Sequence, residues 1–171
     1  MNSAKFWLLV GGLMGALAVT FGAFGAHWIE QKIPGWYTAK DVVVEEASVS
    51  DQTKEVYSAA VETALKELHV KKLKTWMTGV RYHFYHAFAV IAVGLTLLHT
   101  EAKSKTLDAA AVCFCLGIGL FSGSIYALVI SKVSIFGMFA AVGGVFQLTG
   151  WLLFIVGISK TNFELPYLRK S

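Results

Sequence analysis

Charge is scarce in this sequence, and cysteine scarcer still. Among 171 residues there are 15 Lys or Arg and 11 Asp or Glu against 56% hydrophobic residues, with a mean hydropathy of +0.59. Such a composition lies far from the soluble globular average and makes hydrocarbon, not water, the chain's main solvent. The net charge of +4 does not point to nucleic acid, because the lysines flank apolar runs and interleave with glutamates; a membrane surface accounts for them. Cys113 and Cys115 sit inside an apolar run, where there is no small loop-rich domain for a disulfide to staple. Two apart on a helix, they point about 200° away from each other and cannot face one metal together. The apolar runs also lack a nucleophile paired with a base, and they lack paired carboxylates, so no catalytic constellation is visible. A dyad of Ser122 or Ser124 with His86 is conceivable, but serines beside a glycine are better explained by helix packing.

What the sequence does contain is four stretches of the roughly 20 apolar residues a spanning helix needs: 6–29, 76–98, 107–130 and 135–158. Lys5 followed by an apolar run ending in small residues resembles a signal peptide, but the run is longer than a usual signal core and three more spans follow, so a retained helix is expected. The connections 131–134 and 99–106 are short enough to force antiparallel neighbours. The expected fold is therefore all-α, a single membrane domain over 1–171, built as a four-transmembrane-helix up-down bundle. Its first loop, 30–75, is long. The part containing Pro34 and Gly35 reads as irregular. About 55–73 an amphipathic helix is expected, with Tyr57, Ala60, Val61, Ala64, Leu65 and Leu68 on one face, lying on the membrane or covering the bundle mouth and running through Leu73 into the second span. Orientation is not decided by charge: Lys5, Lys103, Lys105, Lys160, Arg169 and Lys170 on one side oppose Lys32, Lys40, Lys66, Lys71, Lys72, Lys74 and Lys132 on the other.

In lipid, helices associate largely through close backbone approach at small residues. Candidate packing positions are Gly11, Gly15, Gly22 and Gly25 in the first span, Gly119 and Gly123 in the third, and Gly143, Gly144 and Gly150 in the fourth. The Gly143-Gly144 pair is not a phosphate loop, since no basic residue follows it. Gln147 needs a hydrogen-bond partner on a neighbouring helix and is expected to face inward.

Alternating topology places the end of the first span, the start of the second and the end of the third on one side of the membrane. That gathers a candidate polar site from His27, Arg81, Tyr82, His83, Tyr85, His86, Ser122, Ser124 and Tyr126 at the long-loop end. Arg81 lies about 7.5 Å along the helix from Trp76, near enough for its stem to reach the interface. His27, His83 and His86 are weak metal or haem candidates; no intramembrane carboxylate or thiolate completes a ligand set, so no cofactor is assigned.

The runs Gly22-Ala23-Phe24-Gly25-Ala26-His27, Thr75-Trp76 with Tyr82 and Tyr85-His86-Ala87, Leu120-Phe121-Ser122-Gly123-Ser124-Ile125-Tyr126, and Val142-Gly143-Gly144 with Gly150-Trp151 closely resemble the domain-of-unknown-function 423 family. These are small YgdD-like bacterial inner-membrane proteins with relatives in the eukaryotic transmembrane protein 256 group. The resemblance covers all four spans in order. It implies a four-helix protein of a bacterial inner membrane, or of a mitochondrial membrane, with both termini in the cytoplasm; it supplies no reaction, substrate or cofactor. Two departures are Ala141, where the family often has proline, and the longer first loop.

The expected role is a non-enzymatic accessory or scaffold component whose partners are membrane lipids and either a second copy or the subunits of a larger membrane complex. Transport or binding of a small solute or ion at the polar end is the alternative, and a histidine metal or haem site the second alternative.

Overall fold

The computed structural model describes residues 2–42, 51–100 and 104–161, with the side chains of 51–54 outside that description. Lys103, Arg169 and Lys170, three of the charges weighed for orientation, therefore lie outside the described residues. The described chain forms four long helices: α1 (Ser3–Trp36), α2 (Asp51–Leu98), α3 (Lys105–Ser131) and α4 (Ile135–Ser159). Asn2 caps α1 by accepting from the Ala4 N–H at 3.0 Å, and Ser104 caps α3 by accepting from the Leu107 N–H at 3.4 Å.

By length and composition α1, α3 and α4 can each cross a membrane. Arg81, two histidines and two tyrosines dilute the apolar half of α2, but packing puts it at the same depth. Along α1 from its N-terminus, Leu8 meets Gly94, Gly11 meets Ile91, Gly22 meets Val80 and Gly25 meets Trp76. The two helices thus run antiparallel in contact over the whole thickness that α1 crosses.

Two expectations about the first loop need correction. Helix α1 does not end near Ile29 but continues through Pro34 to Trp36, because Ile33 and Tyr37 are buried against Leu68, Leu73 and Trp76 of α2. Pro34 removes one backbone donor on the exposed side of the last turn, and the buried side holds the helix together. The amphipathic segment runs through Leu73 into the second span as expected, but it neither lies along the membrane surface nor folds over the bundle mouth: it is the first half of α2. At 48 residues α2 is about 72 Å long, more than twice the ~30 Å of hydrocarbon it must cross. Its first half therefore projects beyond the bilayer, coaxial with the span. Lys66 and Glu62 form an exposed ion pair at 2.7 Å along that projection.

Each of α1 and α3 contains one wider π-helical turn, at Gly25–Ile29 and Ile118–Gly123. In α1 the turn adjoins the place where the Trp76 indole enters, donating from Nε1 to the Phe21 carbonyl at 3.0 Å. A Cβ on Gly25 would lie 2.3 Å from that same nitrogen. In α3 the turn lies where α4 comes closest: a Cβ on Gly143 would lie 2.2 Å from the Phe121 backbone nitrogen. Below it, Gly117 meets Gln147, Phe114 meets Gly150 and Leu107 meets Gly157, a spacing along α4 that keeps one narrow seam facing α3.

The buried apolar residues fall into two clusters. One joins Ala4, Trp7, Val90, Val93, Leu107 and Phe114 near the start of α1; the other joins Ile29, Ile33, Trp76, Val80, Tyr126 and Val129 near its end. Between them lies a polar layer.

The seam predicts which glycines tolerate a methyl group. Gly143→Ala should cost about 1–3 kcal/mol or prevent folding, because the atom it meets is backbone and cannot rotate away. Gly12→Ala, with nothing within 4 Å of its Cβ, should cost nothing and raise stability by up to about 1 kcal/mol, the helix preference of alanine over glycine. Reversible unfolding in mixed micelles, followed by helicity, measures both.

Candidate functional site

The polar layer is built from residues that α2 and α3 bury at mid-membrane: His83, His86, Ser122 and Ser124, with Gln147 from α4. His83 and His86 are three apart on α2 and diverge into two separate settings. His83 turns toward α1 and α3, with the Tyr126 hydroxyl 3.4 Å from its Nδ1 and the Phe21 ring 6.2 Å away. Tyr126 itself is packed between Phe21 and Trp76, at ring distances of 4.7 and 4.6 Å. Among the described residues His83 Nε2 and Ser122 Oγ are buried with no hydrogen-bond partner. Ser122 therefore forms no dyad with His86.

His86 turns the other way, toward Phe114 and Trp151 at ring distances of 5.7 and 6.4 Å. Its Nδ1 donates to the Tyr82 carbonyl one turn back at 2.8 Å. Gln147 spans the α3–α4 seam, its amide nitrogen donating to the Gly117 carbonyl at 3.3 Å. An inward glutamine was legible from its cost in hydrocarbon; the acceptor, a carbonyl opened by a helix of small residues, was not.

The other residues of the expected polar site do not join this layer. His27, Arg81, Tyr82 and Tyr85 lie on exposed helix faces. Among the described residues no three His, Cys, Asp or Glu side chains come together as a metal site, so His27, His83 and His86 do not form one set. His83, His86 and Ser122 also sit nearer the middle of their spans than the long-loop end, whereas Tyr126 packs in the cluster at that end. Of the small residues singled out, Gly11, Gly22, Gly25, Gly143 and Gly150 lie against neighbouring helices, and Gly144 only grazes Phe121 at 3.9 Å. Gly15, Gly119 and Gly123 have no atom within 4 Å of a built Cβ. Gly79, Gly94, Gly117 and Gly157, which the spacing argument passed over, are in close contact.

Two polar latches at the bundle ends went unanticipated. Asp108, in the first turn of α3 where the helix dipole favours a carboxylate, accepts from Ser3 Oγ and from Trp7 Nε1, the latter at 2.7 Å. A carboxylate inside an apolar run signals a partner; nothing local says that the partner lies on α1. At the opposite end the Tyr37 hydroxyl donates to the Val129 carbonyl at 3.0 Å, and Lys132 Nζ reaches both oxygens of Asp41 at 3.0 Å. Lys72 and Lys132 each place an ammonium 4.7 Å from the Tyr37 ring centre, and His69 Nε2 donates to the Tyr37 carbonyl at 2.8 Å. The segment 37–41, not the amphipathic helix, is thus what covers this end of α3. Lys132 holds a left-handed backbone, φ 61°, which costs a side-chain-bearing residue about 1–2 kcal/mol and is anchored by these contacts. The Thr38 N–H and Lys132 hold the Asp41 carboxyl below its ordinary value. Burial lowers the Lys72 ammonium and, with Asp41 adding to it, raises the Tyr37 phenol.

The family model described as "Protein of unknown function (DUF423)" matches residues 21–144. The UPF0382 membrane protein YwdK of Bacillus subtilis is 30% identical over 156 residues, covering 91% of this chain and 98% of that protein. The UPF0382 inner membrane protein YgdD of Escherichia coli is 28% identical, covering 91% and 90%. A UPF0382 membrane protein of Staphylococcus epidermidis is 26% identical, covering 91% and 97%. No solved structure matches the chain.

The Asp41 latch has a pH signature. Because folding lowers this carboxyl's pKa, its stabilisation is complete above the unfolded value near 3.9 and disappears as pH falls through the folded value. Asp41→Asn should lower the unfolding temperature at pH 7, and the gap from the unaltered chain should close as pH falls below the unfolded value and through the lower folded one. Thermal melts of both proteins across that range check it.

Proposed function

The chain belongs to the DUF423 family, and on that premise we propose that this integral membrane protein is a non-enzymatic accessory or scaffold component of an inner membrane. The observation that carries this reading is the pair Gly119 and Gly123. Spaced four apart on α3, both are exposed, and neither has an atom within 4 Å of a built Cβ. Glycine weakens a helix by about 1 kcal/mol relative to alanine, so an outward-facing pair that packs against nothing in its own chain is a net cost unless another helix uses it. A small-xxx-small face of this kind lets a further transmembrane helix approach to backbone contact. The projecting half of α2 supports the same reading, since a rigid charged rod outside the bilayer offers a second docking element. Ser122 without a base partner, and histidines that diverge, supply nothing toward catalysis.

Purified in mild detergent, the protein should run as a defined oligomer or complex by light scattering. Gly119→Leu with Gly123→Leu should shift it to a smaller species while its helicity is kept in full. A strictly monomeric chain with no crosslinkable partner would count decisively against the proposal.

A further inference from the structure

On the lipid-facing side of α2 and α4 a lateral groove of about 430 Å³ opens beside the polar layer, within the range of small-molecule sites. Tyr82, Tyr85 and His86 form one wall and Gln147 and Trp151 the other, with Gly144 leaving the floor free of a side chain. His86 lies ten residues beyond Trp76, about 15 Å along the axis, which is half the hydrocarbon thickness. Gln147 is the midpoint of α4. The groove is thus at the depth where water is least available.

The hydrogen-bond inventory of this groove is one-sided at its buried end. The Tyr82 carbonyl can only accept, so His86 Nδ1 carries the proton and Nε2 of the neutral ring is left as an acceptor. The Gly117 carbonyl likewise can only accept, so Gln147 presents its amide nitrogen to it and is left with Oε1 as an acceptor. Among the described residues neither Nε2 nor Oε1 has a hydrogen-bond partner, and neither atom is fully enclosed, although His86 is 5% and Gln147 4% exposed. At the outer end the Tyr82 and Tyr85 hydroxyls and the Trp151 indole N–H, also without hydrogen bonds in the protein, can donate. An unpaired acceptor at the bilayer centre is costly, and only a donor that dissolves in the membrane can relieve it there.

We infer that this groove binds the head of a membrane-dissolved hydroquinone: a flat aromatic ring whose hydroxyls donate to His86 Nε2 and Gln147 Oε1, with its tail lying in the surrounding lipid. Ring walls and a glycine floor suit a flat headgroup, and two acceptors on two helices suit two hydroxyls on one ring. The oxidised quinone has only carbonyls to offer and leaves both acceptors of the groove lining unpaired, so the reduced form is the preferred ligand. No electron transfer is assigned to the chain.

The test uses the full chain in phosphatidylcholine nanodiscs, titrated under argon with decyl-1,4-hydroquinone while tryptophan fluorescence is followed. Saturable quenching is expected, at least about tenfold tighter than by the dimethyl ether of the same molecule, whose hydroxyls are blocked. Trp151→Phe, at an exposed position, should remove most of the quenching, and Gln147→Met should weaken binding about tenfold. The comparison of hydroquinone with its ether uses the unaltered chain and stands even if Gln147→Met fails to fold. Equal binding of the ether, dodecanol competing as well as the hydroquinone, quenching that survives Trp151→Phe, or no saturable quenching would each overturn the inference.

Discussion

Gly143 rests against the backbone of Phe121 at a distance no Cβ can share, and much of the molecule follows from that approach. Hydrocarbon offers helices little gain from excluding solvent, so they are held by van der Waals contact and by hydrogen bonds that lipid cannot supply. Close approach at Gly143 draws α4 near enough for Gln147 to reach the Gly117 carbonyl and for Gly150 and Gly157 to seat Phe114 and Leu107. The wider turn of α3 from Ile118 to Gly123 lies at this crossing. The same device recurs between α1 and α2, where Gly25 leaves room for the Trp76 indole and Gly11 and Gly94 let the backbones meet.

These contacts also decide where polar groups can be afforded. The two apolar clusters and the latches at Asp108 and Tyr37 hold the ends, so α2 can carry His83 and His86 into the middle without losing its position. The two histidines then serve different surroundings: His83 is buried beside Tyr126, and His86 stands at a groove open to lipid. One helix face three residues wide thus yields two distinct polar environments, which is why a single histidine site does not form.

The helical architecture was legible because it rests on quantities local to the chain: apolar runs of spanning length, short connections after the second and third spans, and a 3.6-residue pattern over Val56 to Lys72. The run of the amphipathic helix through Leu73 into the second span was legible in the same pattern; the extension of α1 through Pro34 was not, since it depends on Ile33 and Tyr37 finding α2 and outweighing a helix-breaking residue. The polar site was legible only as a list. Spacing identifies Gly119 and Gly123 as readily as Gly143 and Gly150, yet only the second pair meets a neighbour, because which face of a helix turns inward is set by its partners. For the same reason the bonds from Ser3 and Trp7 to Asp108, which join positions more than 100 residues apart, left no local trace.

A structure determined in a lipid nanodisc measures the central claim most directly. The account predicts Gly143 in backbone contact with Phe121, His83 beside Tyr126 and His86 beside Phe114 and Trp151 in two separate surroundings, and α2 unbroken from its projecting half through the membrane. A structure with α4 detached from that seam, or with both histidines facing one common cavity, would contradict it.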